Sequence, residues 1–238
     1  MGMKDDIVGR LKEVLATGDY SITDSDSIPG PGDNRLTFGN TGVRFWASTL
    51  YIDMRGSTKV LNQFKAHNVA KIHKAYLYTA TTLIADAGGQ IRSYNGDSIL
   101  AFFPKNEKAT INKAVKTAMH IKWMLTEDSV KKLFEPYQHV LDFGIGIDHG
   151  QVLCVKAGLA RNDNHNDLVW LGDAVNRAVR LSDRGRSPNC VYVSDICRTN
   201  MDGDTKLANG VDMWVEDFVE YNGSRERAWR TNYGWVVK

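Results

Sequence analysis

Asp53 and the polar residues after it are the part of this chain best suited to bind a metal ion and a phosphate group. Asp53 follows an apolar and aromatic segment, residues 45–52, and a glycine and two hydroxyl residues come soon after it. This order predicts a buried strand, an acidic residue, a tight turn and the start of a helix. Backbone N–H groups at a helix start can hold phosphate oxygens, and a neighbouring carboxylate can bind a divalent metal ion. The candidate phosphate-binding residues are Arg55, Gly56, Ser57 and Thr58.

A second carboxylate is predicted on a strand close to the first. Asn95-Gly96 is typical of a two-residue hairpin turn, and the residues on both sides alternate as strands do, so Asp97 would open the returning strand. Two carboxylates on adjacent strands beside a phosphate-binding turn suit metal ions that hold a nucleoside triphosphate. Taken alone, Asp97 is better explained as a turn residue, because aspartate is common in turns.

A polar helix face is the third candidate. Residues 172–183 are predicted to form a helix, and Asn176 and Arg180 lie four residues apart, so they share one face. A guanidinium is always charged and donates in a planar fork, which suits it to a charged phosphate. The alternative is a solvated polar face with ordinary exposed basic residues, and this alternative fits Arg177 well.

Together the three segments resemble the motifs of the class III nucleotidyl cyclases, the family of the adenylate and guanylate cyclases. Residues 170–181 are similar to the Gly-Asp-x-Val-Asn-x-x-x-Arg signature of that family, and the resemblance extends over about residues 45–194. It implies that Asp53, Asp97 and the main-chain carbonyl of Met54 bind two divalent metal ions, Mg²⁺ or Mn²⁺.

The resemblance also implies roles for the helix residues and a partner. Asn176 would orient the ribose, and Arg180 would neutralise the charge that builds on the α-phosphate. In the family, the metal-binding aspartates and the Asn/Arg pair of one site come from opposite protomers. A single chain that carries both sets is therefore expected to form a symmetric homodimer with two shared sites for a nucleoside triphosphate.

The positions that read the base in purine cyclases are changed in this chain. Adenylate cyclases place a Lys four residues before the second metal-binding Asp and an Asp three residues before the Gly of the third motif. These positions are Ser93 and Val169 here, and the Glu and Cys of guanylate cyclases are absent as well. Tyr51 lies two residues before Asp53 and is predicted to project to the same sheet face.

With Tyr51, the first motif is most similar to that of the pyrimidine cyclases of bacterial Pycsar anti-phage systems, which make cyclic UMP or cyclic CMP as a signal. A tyrosine hydroxyl can read a pyrimidine edge, although it does not by itself separate uracil from cytosine. A core aromatic is the alternative for Tyr51. The family also uses a basic residue near the C-terminal strands on the triphosphate, and Arg225, Arg227 and Arg230 are equal candidates for it.

The predicted elements place these residues in one α+β domain. A short amphipathic helix, residues 5–16, and a loop-like linker make up residues 1–42, and the catalytic domain is residues 43–238. Within the domain the sequence predicts, in order, a strand (45–53), a helical stretch (57–87), the Asn95-Gly96 hairpin, a helix (107–127), two strands (140–147 and 151–157) around a turn at 148–150, the signature helix, a short strand (191–193) and a closing hairpin (214–221 and 228–237) through Asn222-Gly223. We therefore expect a ferredoxin-like βαβ–βαβ core with helices on one face, which is also the fold that the resemblance implies.

Composition excludes several other classes of function. The net charge of +2 gives no electrostatic basis for binding nucleic acid or a membrane. The three cysteines and six histidines show no metal-site spacing, and buried thiols fit a reduced, cytoplasmic compartment. No signal peptide or long apolar segment is present in the sequence, so we expect no membrane span.

The leading hypothesis is a homodimeric pyrimidine nucleotide cyclase, and two alternatives stay open. One is a purine cyclase with unusual base contacts. The other is a catalytically inactive cyclase fold that serves as a dimerising regulatory module, against which the intact set Asp53, Asp97, Asn176 and Arg180 argues. A diguanylate cyclase fits poorly, because the sequence lacks a Gly-Gly-Asp/Glu-Glu-Phe turn.

Overall fold

The structure is a computed structural model that describes residues 2–18, 20–57, 64–137, 141–160 and 162–237. Its helices are α1 (Met3–Val14), α2 (Ala66–Asp86), α3 (Lys108–Thr126), α4 (Asp128–Phe134), α5 (Asp173–Arg184), α6 (Asp195–Asn200) and α7 (Gly203–Lys206). Its strands are β1 (Ser21–Asp24), β2 (Thr41–Met54), β3 (Gln90–Asn95), β4 (Ser98–Pro104), β5 (Phe143–Gly158), β6 (Asn166–Leu171), β7 (Val191–Ser194), β8 (Leu207–Ala208), β9 (Val211–Asp212), β10 (Val215–Tyr221) and β11 (Ser224–Thr231).

The large sheet has the strand order β10-β11-β7-β5-β2-β4-β3. The segment β5-β2-β4-β3 is antiparallel throughout, and α2 and α3 connect its strands, which gives the predicted ferredoxin-like βαβ–βαβ core. β7 runs parallel to β5 and leads to the C-terminal hairpin. The α+β class is therefore confirmed, together with the N-terminal helix and the C-terminal hairpin.

Helices cover both faces of this sheet, whereas the sequence predicted helices on one face. α2 and α3 pack on the face that contains Leu50 and Ile52 of β2. On the other face, Phe45 and Phe102 lie in a second cluster with Ala174 and Val175 of α5. β4 is buried on both faces along most of its length for this reason. Among the described helices, none combines the length and apolar character needed to cross a bilayer.

β5 is one continuous strand, although Asp148-His149-Gly150 predicted a turn between two strands. Its pairing with β2 is unbroken from Val43↔Cys154 to Met54↔Phe143. Asp148 forms an ion pair with Arg177 on one face, and His149 bonds Ser48 and Asn106 on the other. Because Asp148 Oδ2 and both ring nitrogens of His149 bond partners that lie far along the chain, the backbone stays extended at these residues.

The N-terminal region also differs from the prediction. Part of the expected loop, residues 23–42, forms β1 and the start of β2, which pair in parallel, and Ile28 and Leu36 are buried against the second cluster. α1 has no buried side chain, and its apolar residues Ile7 and Leu11 are exposed. The predicted helical stretch is present as α2 from Ala66, while residues 58–63 lie outside the described part of the chain.

Gly146 allows α5 to lie directly on β5, and this contact generates a first testable prediction. A Cβ at this position would overlap the carbonyl oxygen of Ala178 and the nitrogen of Ser182. Gly146→Ala should therefore lower the free energy of unfolding by about 3 kcal/mol, the upper range for overpacking. Urea unfolding followed by circular dichroism measures this change.

Gly150→Ala is the matched control, because the residue lies in the same strand under the same helix. Its added Cβ would find Ala174 Cβ at 3.3 Å as the nearest atom, which a small shift can relieve. Equal destabilisation by the two substitutions would show that the close approach at Gly146 is not what fixes α5 to the sheet.

Candidate active site

Tyr51 and Asp53 lie on the sheet face that α5 covers, at the end of β2. Residues of β2 alternate between faces, and Phe45 and Ala47, which share this parity, lie in the second cluster. Tyr51 packs against the edge of that cluster and stays partly exposed, as does Asp53. The structure therefore places both side chains on one open part of the sheet.

Asp97 lies in the turn of the β3–β4 hairpin, one residue before the strand that it was predicted to open. Its Oδ2 atom is buried and has no hydrogen-bond partner among the described residues. Burial raises the pKa of Asp53, and the negative charge of Asp97 raises this pKa further, so the two carboxylates lie within electrostatic reach. A buried carboxylate oxygen without a partner beside a second carboxylate fits a cation ligand.

The segment after Asp53 is partly committed to other contacts. The backbone N–H of Arg55 donates to the carbonyl of Asp142 at 2.7 Å, so this group is not free to hold a phosphate, in contrast to the prediction. The Arg55 guanidinium donates from Nη1 to Asp53 Oδ2 at 3.1 Å and also to the carbonyls of Ser182 and Gly185. Arg55 is therefore the counter-charge of Asp53 in this structure.

Gly56 and Ser57 remain candidates for phosphate contacts. Gly56 has a φ of 71°, a conformation that favours glycine, and it forms the turn that the sequence predicts. Ser57 is the last described residue before residues 58–63, so Thr58 lies outside the described part of the chain. The side chain of Met54 is buried in the core, which leaves its carbonyl as the group that can bind a metal ion.

Asn176 and Arg180 line one cleft, which confirms that they share a helix face. Tyr221 and the turn residues Asn222 and Gly223 of the C-terminal hairpin form the opposite wall. Arg180 is 64% exposed, and its Nη1 atom lies 3.8 Å from Asp183 Oδ2 on the next turn of α5. The guanidinium is thus presented to the outside of the chain.

Arg177 is not the solvated residue that the sequence predicted. Its Nη1 lies 2.6 Å from Asp148 Oδ2, and its Nε lies 2.7 Å from Glu226 Oε2. Its guanidinium also stacks on the ring of Tyr221, 4.6 Å from the centroid. No local pattern predicts this cluster, because the partners lie about 30 and 50 residues away from Arg177 along the chain.

The three candidate base-reading residues, Tyr51, Ser93 and Val169, lie in two different places. Tyr51 and Ser93 both pair with Leu100 and share a face across β2, β4 and β3. Val169 lies on β6 and is exposed on the side opposite Trp170, which packs against Phe102. Tyr51 and Ser93 are therefore brought together within one chain, and Val169 is not.

The three C-terminal arginines differ in their contacts. Arg227 pairs with Glu216 at 2.9 Å, and Arg230 lies 3.7 Å from Asp217. Arg225 stacks on Phe218 and lines a second pocket, next to the cleft, that Arg180 also borders. Of the three, Arg225 is the one placed with a predicted site residue.

Asp183 is a site residue that the sequence analysis missed. It lies 3.8 Å from both Arg55 and Arg180, so an ionic chain runs from Asp53 through Arg55 and Asp183 to Arg180. Its position three residues after Arg180 was the available signal. Within the described residues, no three His, Cys, Asp or Glu side chains converge as a complete metal site. Any ion at Asp53 and Asp97 would need further ligands from backbone, water or substrate, as is usual for Mg²⁺.

Comparison with known proteins gives a consistent result. No family model matches the sequence. The chain is 32% identical over 241 residues to a uridylate cyclase of Xanthomonas perforans, with 100% of both chains covered, and 33% identical over 219 residues to a uridylate cyclase of Burkholderia cepacia, with 91% of this chain and 92% of the relative covered.

Solved structures share the fold. The guanylyl cyclase Cya2 superposes with a TM-score of 0.65 at 20% identity, covering 82% of this chain and 95% of that chain. The adenylyl cyclase CyaB from P. aeruginosa gives a TM-score of 0.65 at 17% identity, covering 80% of this chain and 95% of that one.

The unpartnered oxygen of Asp97 generates the second prediction. Mn²⁺ should stabilise the wild-type chain by about 1.4 kcal/mol at ten times its Kd, since an ion that binds only the folded state stabilises it by mass action. Asp97→Asn should abolish this increment, which a thermal shift with and without Mn²⁺ measures. Asp26→Asn, at an exposed loop position, is the control and should keep it. An undiminished shift in the Asp97 variant would contradict the metal assignment.

Proposed function

The chain belongs to the class III nucleotidyl cyclases, in the family of the uridylate cyclases, and we propose that it converts UTP, or CTP, to the 3′,5′-cyclic monophosphate and pyrophosphate. The activity as a nucleotidyl cyclase follows from relatives that match it over nearly its full length. The choice of a pyrimidine rests on Tyr51 and on the names of these relatives. UTP is preferred to CTP in the proposal because both relatives are named uridylate cyclases.

The observation that carries the catalytic assignment is the pair of carboxylates, Asp53 and Asp97, with one buried oxygen that has no partner in the described part of the chain. Two divalent ions, Mg²⁺ or Mn²⁺, would supply activation of the ribose 3′-hydroxyl and neutralisation of the leaving pyrophosphate. Asp53 and Asp97 would hold this charge at the end of the sheet, with the Met54 carbonyl as a further ligand. Arg55, which now pairs with Asp53, would turn to Asp183 when the carboxylate is engaged.

Asn176 and Arg180 would act on the other side of the substrate. The amide of Asn176 positions the ribose, and the guanidinium of Arg180 stabilises charge on the α-phosphate. Arg225 lines an adjacent pocket that Arg180 also borders, and it is our choice for the triphosphate. Because Arg180 is directed outward, the proposal includes a homodimer in which each site joins Asp53 and Asp97 of one protomer to Asn176 and Arg180 of the other.

Pyrimidine recognition would depend on Tyr51. Ser93 lies about 10 Å away, two strands across the sheet, and its side chain is too short to replace a lysine. The Tyr51 hydroxyl is half-buried and interacts with Ser98, and burial raises its pKa, so it stays protonated and can donate or accept. A cyclic pyrimidine nucleotide acting as an anti-phage signal in the cytoplasm is the corresponding biological proposal.

The shared-site arrangement generates the third prediction. Asp53→Asn chains and Arg180→Ala chains should each be inactive as homodimers. Equal mixing with subunit exchange places half of the dimers in the mixed form, each with one intact site, so about a quarter of the wild-type activity should return. Pyrophosphate release after co-refolding measures the recovery.

The matched control is a mixture of Asp53→Asn and Asp97→Asn chains. Both substitutions damage the same half-site, so every site in the mixed dimer keeps one defect. No recovery in the Asp53/Arg180 mixture despite proven exchange would mean that each site is built within one chain. Recovery in the control mixture would mean that Asp53 and Asp97 of one site come from different chains.

Tyr51→Phe is the fourth prediction and addresses the base. The substitution keeps the ring and removes the hydroxyl, so the activation free energy for the preferred pyrimidine should rise by about 1 kcal/mol. Its turnover should therefore fall a few-fold, and more if a buried partner is left unpaired. Mass spectrometry of the products from a mixture of the four ribonucleoside triphosphates measures the turnover rate and the substrate preference together. If the wild type prefers ATP or GTP, the pyrimidine assignment is wrong, although the assignment as a cyclase would stand.

A further inference from the structure

A cluster of charges lies between α5 and the sheet, beside the wall of the cleft that Tyr221 forms. Asp148 comes from the middle of β5, Arg177 from α5 and Glu226 from β11. Arg177 bonds both carboxylates through different nitrogens, at 2.6 Å and 2.7 Å. One side chain of the helix is thereby tied to two strands at once.

The burial of Asp148 requires its ion pair with Arg177. Its side chain has no exposed surface, and a buried carboxylate is costly unless it is paired. Burial raises the pKa of Asp148, while a hydrogen bond from Ser194 and the charge of Arg177 act against that rise. The position of Arg177 is therefore set by a group that belongs to the centre of the sheet.

Arg177 also fixes the wall of the cleft. Its guanidinium stacks on Tyr221, and the Tyr221 hydroxyl donates to Asp173 Oδ1 at 2.8 Å, at the first residue of α5. Tyr221 lines the cleft together with Asn176 and Arg180. The helix and the hairpin that enclose the cleft are thus joined through one guanidinium.

We propose that Arg177 is a positioning residue, which sets the rotation of α5 so that Asn176 and Arg180 face the substrate. It precedes Arg180 by three residues and follows Asn176 directly, so a small rotation of the helix displaces both. Arg177 itself has no contact with the substrate in this arrangement. The inference rests on the proposed roles of Asn176 and Arg180.

Two variants test the proposal without leaving a buried charge unpaired. Arg177→Lys keeps a cation for Asp148 but cannot bond Glu226 and stack on Tyr221 at the same time. Asp148→Asn with Arg177→Met removes both charges together. In each, kcat per folded protein should fall about ten- to a hundredfold, because small misplacements of catalytic groups are costly, while KM should stay within about twofold.

Arg198→Met is the control. Arg198 makes the same kinds of contact, an ion pair with Asp212 at 2.6 Å and a stack on Trp229 at 5.0 Å, but it lies on α6, outside the cleft. Its kcat and KM should equal those of the wild type. Arg180→Ala is measured beside it.

The outcomes distinguish a failure of the proposed cleft from a failure of the positioning role of Arg177. A fully active Arg180→Ala protein would overturn the proposed cleft itself. An inactive Arg180→Ala protein together with Arg177 variants whose kcat per folded protein lies within twofold of the wild type would overturn only the positioning role. The positioning role also fails if neither Arg177 variant accumulates as folded protein, since Arg177 would then serve stability alone, or if KM rises while kcat is kept.

Discussion

The proposed catalysis depends on two carboxylates that lie near each other at the end of the sheet and are both partly buried. Asp53 ends β2, and Asp97 lies in the hairpin turn of the adjacent strand pair. The charge of Asp97 and burial both raise the pKa of Asp53, so the ionised pair is unfavourable unless a cation is present. Arg55 supplies a single positive charge to Asp53, and the Oδ2 atom of Asp97 is left without a partner.

The positions of Asn176 and Arg180 depend on the contacts that hold α5 against the sheet. The helix lies across β5 at Gly144 and Gly146, where any side chain would collide with its backbone. Arg177 ties it to Asp148, and Asp183 joins it to Arg55. Asp53 and the exposed Arg180 of one chain are therefore linked by a chain of ion pairs through Arg55 and Asp183.

Sequence alone was sufficient where the signal was local. The helical periodicities of α3 and α5 and the two Asn-Gly hairpins predicted elements that the structure contains, because period and turn chemistry involve only near neighbours. It failed at Asp148 and Arg177. Both residue types favour exposed turns or helix surfaces, and only the tertiary pairing explains an extended strand and a partly buried guanidinium there. Residues 23–42 were misjudged for the same reason, since Ile28 and Leu36 are isolated apolar residues in a segment rich in Gly and Pro.

The exposure of Arg180 argues for a second copy of the chain. A guanidinium stabilises a developing phosphate charge strongly only where water is excluded, because the effective dielectric there is low. In one chain Arg180 is 64% exposed, and the nearest acidic group that it meets is Asp183 on its own helix. A charge so placed would be worth little to catalysis until another surface covers it. Asp53 and Asp97, by contrast, are partly buried, and within the described residues Asp97 Oδ2 has no hydrogen-bond partner. Each half lacks what the other half provides, and two copies related by a two-fold axis would complete both at once.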